Sequence, residues 1–226
     1  MLRKLGYWAH DYLHAIHKHG YVFIYRKPPG HYLEVVQEGK TPIILIPGIY
    51  EKWHFLKAIA DPLSLFGHPV YVLENLGYNI SSIRDSAKLV RDLIDEKKLE
   101  KVIIIAHSKG GLIGKYLLAF ENAGNKIIKL ITIASPFGGS TLVKLVPHKA
   151  IKELHPESEI IKKLQEEKSV NNKIISIYGT YDNHIWPETS CVLNGAKNIQ
   201  IREYGHHKIL FNKEVKNIVL QEVEGK

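Results

Sequence analysis

Apolar positions in this chain fall into short β-branched runs separated by longer stretches in which they recur every three or four residues. The runs Pro42 to Ile46, Pro69 to Leu73, Lys101 to Ala106, Ile127 to Ala134, Lys173 to Tyr178 and Ile199 to Glu203 predict strands. The spacing between them predicts a helix near Trp53 to Phe66 that breaks at Asp61-Pro62. A second runs from a Ser81 or Ser82 cap to about Lys98, a third over Lys109 to Glu121, and a last one starts near Asn212. Strands alternating with helices need crossovers. The pattern therefore predicts an α/β fold: a mostly parallel central sheet with helices on both faces.

Two regions depart from that alternation. In the first forty residues, Leu2, Leu5, Ala9, Leu13 and Ile16 predict an amphipathic helix over about 2–19, with Trp8 and Tyr12 widening its stripe. The stripe would pack on the body, cap a lipid-binding cleft or rest on a membrane. Tyr21 to Arg26 and Tyr32 to Gln37 read as strands joined by the turn Lys27-Pro-Pro-Gly30. The second region, 135–172, is a small insertion after the strand ending near Ala134. Its apolar positions, among them Leu142, Leu145, Val146, Ile151, Leu154, Ile161 and Leu164, exceed what a connection needs. They would line a pocket as a wall or small lid, or serve ordinary helix packing. The whole chain, 1–226, reads as one domain.

A hydrophobic content of 45% with 24% charged residues is that of a soluble globular chain. The net charge of +8 raises nucleic acid, anionic lipid and acidic substrates as partner classes. Lys and Arg, however, are interleaved with Glu and Asp and form no basic block with aromatics, so no nucleic-acid partner is expected. Weak association with a membrane surface stays open, and oligomeric state is not legible. Near the N-terminus, His10, Asp11, His14 and His17 interrupt the apolar run a signal peptide requires, and a cytoplasmic location is the default expectation. His10, His14 and His17 share a helical face, but no carboxylate or cysteine completes a ligand set, and no metal is expected. The single cysteine, Cys191, excludes an internal disulfide framework.

The chemistry concentrates at Lys101-Val-Ile-Ile-Ile-Ala-His-Ser-Lys-Gly-Gly111. A strand-like run stops at Ser108 and a helix begins at once. Such a turn pushes a serine hydroxyl into a cleft, and its tightness demands small residues two positions away on either side, here Ala106 and Gly110. A nucleophilic serine also needs a base, a residue to orient that base, and donors for an oxyanion. Asp182 follows one strand end and His206 follows the next. His207 is the alternative base; Glu188 and Glu203 are weaker alternatives to Asp182, which could equally cap its own turn. The Lys109 amide, at a helix start, is one oxyanion donor. The Lys109 side chain is expected in solvent, where it could attract an acidic substrate.

Ile46-Pro-Gly-Ile49, Ala106-His-Ser-Lys-Gly-Gly111, Ser135-Pro-Phe-Gly-Gly-Ser140, Asp182 and Gly205-His206 together resemble the small esterase and triacylglycerol-lipase branch of the α/β-hydrolases. The likeness runs from about residue 42 to the C-terminus. It implies hydrolysis of a small-molecule carboxylic ester, lipid-like if the insertion lines an acyl pocket, with no cofactor and no metal. By the same likeness Ile49 supplies the second oxyanion amide. Pro47 stands where many lipases have histidine, and Phe137 replaces another. A thioesterase, an acyltransferase or a non-catalytic lipid-binding protein on the same fold are the alternatives.

Overall fold

The computed structural model describes residues 6–8, 11–13, 15–16, 20, 26–145 and 149–225. Six strands form one sheet: β1 (Ile43–Ile46), β2 (Val70–Val72), β3 (Val102–His107), β4 (Ile127–Ile133), β5 (Ile174–Tyr181) and β6 (Lys197–Tyr204). Their order is β2-β1-β3-β4-β5-β6, and every pairing is parallel. All six match predicted runs, with β5 and β6 longer than the apolar pattern alone suggests.

Successive side chains along a strand point to opposite faces, and both faces are apolar here. Ile44, Ile46, Ile104, Ala106 and Leu130 join one core, whereas Ile43, Leu45, Ile103, Ile105, Ile131 and Ile133 join the other. The first core is covered by α2 (Ile83–Glu96), α3 (Lys109–Tyr116) and α4 (Glu159–Glu166). The second is covered by α1 (Lys57–Leu65) and α5 (Lys213–Glu224). Ser82 caps α2 and Asn212 caps α5, each accepting N–H groups of the first turn. The chain steps from β1 outward to β2 and then returns past β1 to β3. Crossovers keep one hand, so this reversal moves the helices from one face to the other. It also opens a crevice between the carboxyl ends of β1 and β3, where ligands of such sheets bind.

Several expectations are corrected. The predicted strand Tyr32 to Gln37 is a helical turn, His31–Glu34, followed by a bend; Tyr21 to Tyr25 lie outside the described residues. Tyr32 is buried with its hydroxyl donating to Asp61 at 2.9 Å, and that anchor fixes the turn. The helix near Trp53 does not break at Asp61-Pro62. A 3-10 turn, Trp53–Leu56, runs into α1 with Pro62 inside it, because burial of Ile59, Ala60 and Leu63 outweighs the missing N–H. The N-terminal apolar stripe is also turned around. Leu13 and Ile16 are 64% and 67% exposed, whereas Asp11 and Ala15, one turn apart, face the protein. In the insertion, Val143, Ile151, Leu154, Ile161 and Leu164 pack into the same core as α2 and α3. Among the described residues no helix is long and apolar enough to cross a membrane.

Candidate active site

β3 ends at His107, and the chain reverses into α3 through Ser108, whose φ of 51° and ψ of −123° lie in strained territory for a residue with a side chain. Backbone bonds hold it there: Ser108 N donates to Ile133 O at 3.0 Å, and Gly111 N donates to Ser108 O at 3.0 Å. The turn is tight enough that a Cβ on Gly110 would stand 2.2 Å from Ile46 O, so only glycine lets α3 approach β1.

Three of the sequence-derived side chains meet at this turn. His206 Nε2 lies 2.9 Å from Ser108 Oγ, and His206 Nδ1 lies 2.7 Å from Asp182 Oδ2. Asp182 follows β5, and its other oxygen accepts the N–H groups of His184 and Ile185 at 2.7 and 2.9 Å. Burial raises its pKa, but the adjacent His206 and its hydrogen bond outweigh this and hold the carboxyl below its ordinary value. Among the described residues neither Glu188 nor Glu203 makes a hydrogen bond or ion pair with His206. Glu203 instead pairs with Lys208 at 3.0 Å and accepts from Asn212 at 3.0 Å. His207, the alternative base, points to Asp11, with Nδ1 2.9 Å from Oδ2.

The amides of Ile49 and Lys109 flank the same turn, and neither has a protein acceptor among the described residues. Pro47 does not leave its loop unsupported. Glu51 Oε2 accepts Gly48 N–H at 2.7 Å, and Asn79 Nδ2 donates to Pro47 O at 2.8 Å. The Lys109 side chain corrects the expectation of a solvated lysine. It is fully buried, and Nζ donates to the carbonyls of Asn79 at 3.0 Å and of Ser81. Burial pushes its pKa down to about 8.

Sequence reasoning missed three residues that brace this site. Glu51 is 2% exposed and lies 2.9 Å from His107 Nδ1. Burial raises its pKa, but His107 draws it down to about 2, while the same pair holds His107 above its ordinary value despite burial. His107 Nε2 in turn reaches His206 O at 3.0 Å. The third residue, Asp11, is fully buried. Its oxygens accept the N–H groups of His207 and Lys208 at 2.7 and 2.9 Å, and the Asn183 amide at 3.1 Å. Gly205 makes room for it, since a Cβ there would stand 2.7 Å from Asp11 Oδ1. Only the position of His107 beside Ser108 carried a sequence signal; Glu51 and Asp11 are recognisable from the fold alone. A surface cleft of about 630 Å³ between the Phe137–Thr141 and Pro187–Asn194 segments is lined by none of Ser108, Asp182 or His206.

The sequence model of the alpha/beta hydrolase fold matches residues 41–167, more than half of the chain. The chain belongs to this family.

Solved structures agree on the fold. Lipase B of Aspergillus fumigatus superposes with a TM-score of 0.70 at 19% identity, covering 87% of this chain and 55% of that one. The lipase BlEst2 of Bacillus licheniformis matches in its mature form with a TM-score of 0.65 at 15% identity, covering 84% of this chain and 95% of that one. Its propeptide form gives 0.67 at 16% identity, with 84% and 52% covered. This hydrolase-fold chain thus spans about half the length of two of these structures, and at such identities the likeness is one of fold.

Proposed function

We propose that this hydrolase-fold chain is a serine hydrolase that cleaves carboxylic esters of small, apolar substrates. The observation that carries the proposal is the continuous hydrogen-bonded path from Asp182 through His206 to Ser108, at 2.7 and 2.9 Å, beside two amides that have no acceptor among the described residues. In this mechanism His206 Nε2 takes the Ser108 proton as Oγ attacks the ester carbonyl. Asp182 holds Nδ1–H, fixes the tautomer and stabilises the imidazolium. The Ile49 and Lys109 amide N–H groups donate to the oxyanion, with Lys109 at the start of α3 where the helix dipole adds to the effect. His206 then gives its proton to the departing alcohol. In the second half it takes a proton from water as the water attacks the acyl-enzyme, then returns that proton to Ser108 Oγ as the acyl–Oγ bond breaks and the acid leaves.

Exposed apolar side chains near the loops at this end, Tyr50, Tyr78, Ile80 and Trp186, suit an apolar ester, and the lipases among the fold neighbours are consistent with this choice. The reaction as written uses side chains and backbone amides alone. Turnover of p-nitrophenyl esters of graded acyl length, compared with acyl-CoA thioesters and with alcohol acceptors, tests the proposal. Ester cleavage that is lost in Ser108→Ala is expected. Strong thioester cleavage without ester cleavage would move the substrate class, and no turnover of any acyl donor by folded protein would favour a binding protein.

A further inference from the structure

A second group of ligand-type side chains sits beside the serine relay and takes no part in it. Asp11, His184 and His207 each offer one ligand atom, and these atoms lie within 4.8 Å of one another. We propose that they form a binding site for a divalent transition metal of the zinc class, with His207 Nδ1, an Asp11 carboxylate oxygen and a His184 ring nitrogen as ligands. This site is distinct from the His10, His14 and His17 face considered from the sequence.

One ligand pair already stands close to the spacing the ion requires, and the His184 nitrogen, within 4.8 Å of both, completes the set by a small side-chain movement. Zinc bonds of about 2.0–2.1 Å in a tetrahedral arrangement set ligand atoms roughly 3.3 Å apart. His207 Nδ1 and Asp11 Oδ2 stand at 2.9 Å, so a few tenths of an ångström admit the ion between them. Two imidazoles and one carboxylate are a donor set that favours zinc over magnesium or calcium, and three protein ligands leave a fourth position for water.

The surroundings hold each ligand in place. Asp11 Oδ1 is fixed by the N–H groups of His207 and Lys208. His207 Nε2 lies 3.4 Å from Glu51 Oε1, which places a carboxylate behind the nitrogen that does not bind, as in carboxylate–histidine–metal sites. The His184 ring lies against those of His206 and His207, with centroids 4.7 and 5.0 Å away, and its backbone N–H is held by Asp182. Among the described residues its one side-chain hydrogen bond is a long contact of 3.3 Å to the Tyr12 hydroxyl. Partial exposure of His184 opens the group to solvent. On binding, His207 becomes the neutral Nε2–H tautomer facing Glu51, and any second ring proton leaves to solvent.

Metal binding at these residues stands whether or not Ser108 is catalytic. The test is calorimetric titration of zinc chloride into chelator-stripped full chain, with thermal melts alongside. Zinc is expected to bind with micromolar or tighter affinity and to raise the melting temperature. His184→Ala and His184→Gln, checked for folding by near-UV circular dichroism, should each weaken that binding at least about tenfold, the lower end of what loss of even a supporting residue does. Absence of heat and of a thermal shift in folded wild type would overturn the proposal, as would unchanged affinity in both variants, which would put the ion elsewhere. Fluorophosphonate labelling of Ser108 in the same samples reports on the hydrolase proposal separately.

Discussion

Asp11 and His207 are 196 positions apart, yet one carboxylate of Asp11 accepts both the backbone N–H of His207, at 2.7 Å, and its Nδ1, at 2.9 Å. The helical segment that carries Asp11 precedes the region matched by the family's sequence model, so the loop holding His206 is clamped by a part of the chain outside it.

Asp11→Ala removes an acceptor shared by two backbone donors, the Asn183 amide and a histidine, leaving largely buried polar groups unpaired. A loss of roughly 3–5 kcal/mol in stability is expected, the range for breaking a buried pair. Asp11→Asn keeps one acceptor oxygen and should cost less. Urea melts of both variants in chelator check this ordering; equal and negligible losses would show that the clamp is dispensable.

Asp182→Asn preserves shape but takes the charge from behind His206 and offers it the wrong tautomer. The expected result is a fall in kcat of about 10³–10⁴-fold with a small change in KM, by analogy with the same change in other serine triads. Steady-state kinetics on a p-nitrophenyl ester give the answer.

Glu51→Gln leaves Gly48 with an acceptor but ends the ion pair with His107. The loop carrying the Ile49 amide should loosen, lowering kcat roughly tenfold to a hundredfold, less than the ~10²–10³ for outright loss of an oxyanion donor. A rise in KM with kcat unchanged would assign Glu51 to substrate binding instead.

Gly110→Ala puts a methyl group 2.2 Å from the Ile46 carbonyl oxygen, and no flexible side chain can yield there. Destabilisation of about 1–3 kcal/mol or more is expected from overpacking, along with reduced activity as Ser108 shifts. Chemical denaturation beside initial rates measures both.

Lys115 is 1% exposed, and burial pushes its pKa from 10.5 down to about 8. Between those values the unfolded chain holds a proton that the folded chain lacks, so stability rises with pH across that window. Lys115→Met keeps the volume and removes the buried ammonium. It should stabilise the protein at neutral pH by up to roughly 3 kcal/mol and reduce the alkaline rise. Part of that rise remains, because Lys109 is depressed to about 8 as well. Urea midpoints at neutral and alkaline pH test the sign.

The central strands and the serine relay were legible because each rests on local pattern. A β-branched run buried on both faces can be read directly, and Ser108 and Asp182 follow such runs, while His206 follows the half-exposed edge strand β6, whose alternating Ile199 and Ile201 still mark it. What stayed hidden depends on tertiary contacts. Tyr32 to Gln37 alternates like a strand, but it has no strand partner among the described residues and is held as a turn by Tyr32 and Asp61. Leu13 and Ile16 form a stripe that should face inward, yet the hydrogen bonds of Asp11 turn that stripe to solvent. Lys109 looked like a solvated lysine because nothing local announces the Asn79 and Ser81 carbonyls that receive it.

The central claim is that Ser108 is a nucleophile activated by His206. Intact-mass analysis after exposure to a fluorophosphonate tests it most directly. A single adduct on wild type, mapped to Ser108 and lost in Ser108→Ala and His206→Ala, is expected. Folded wild type that stays unlabelled, or that carries its adduct at another residue, would contradict it.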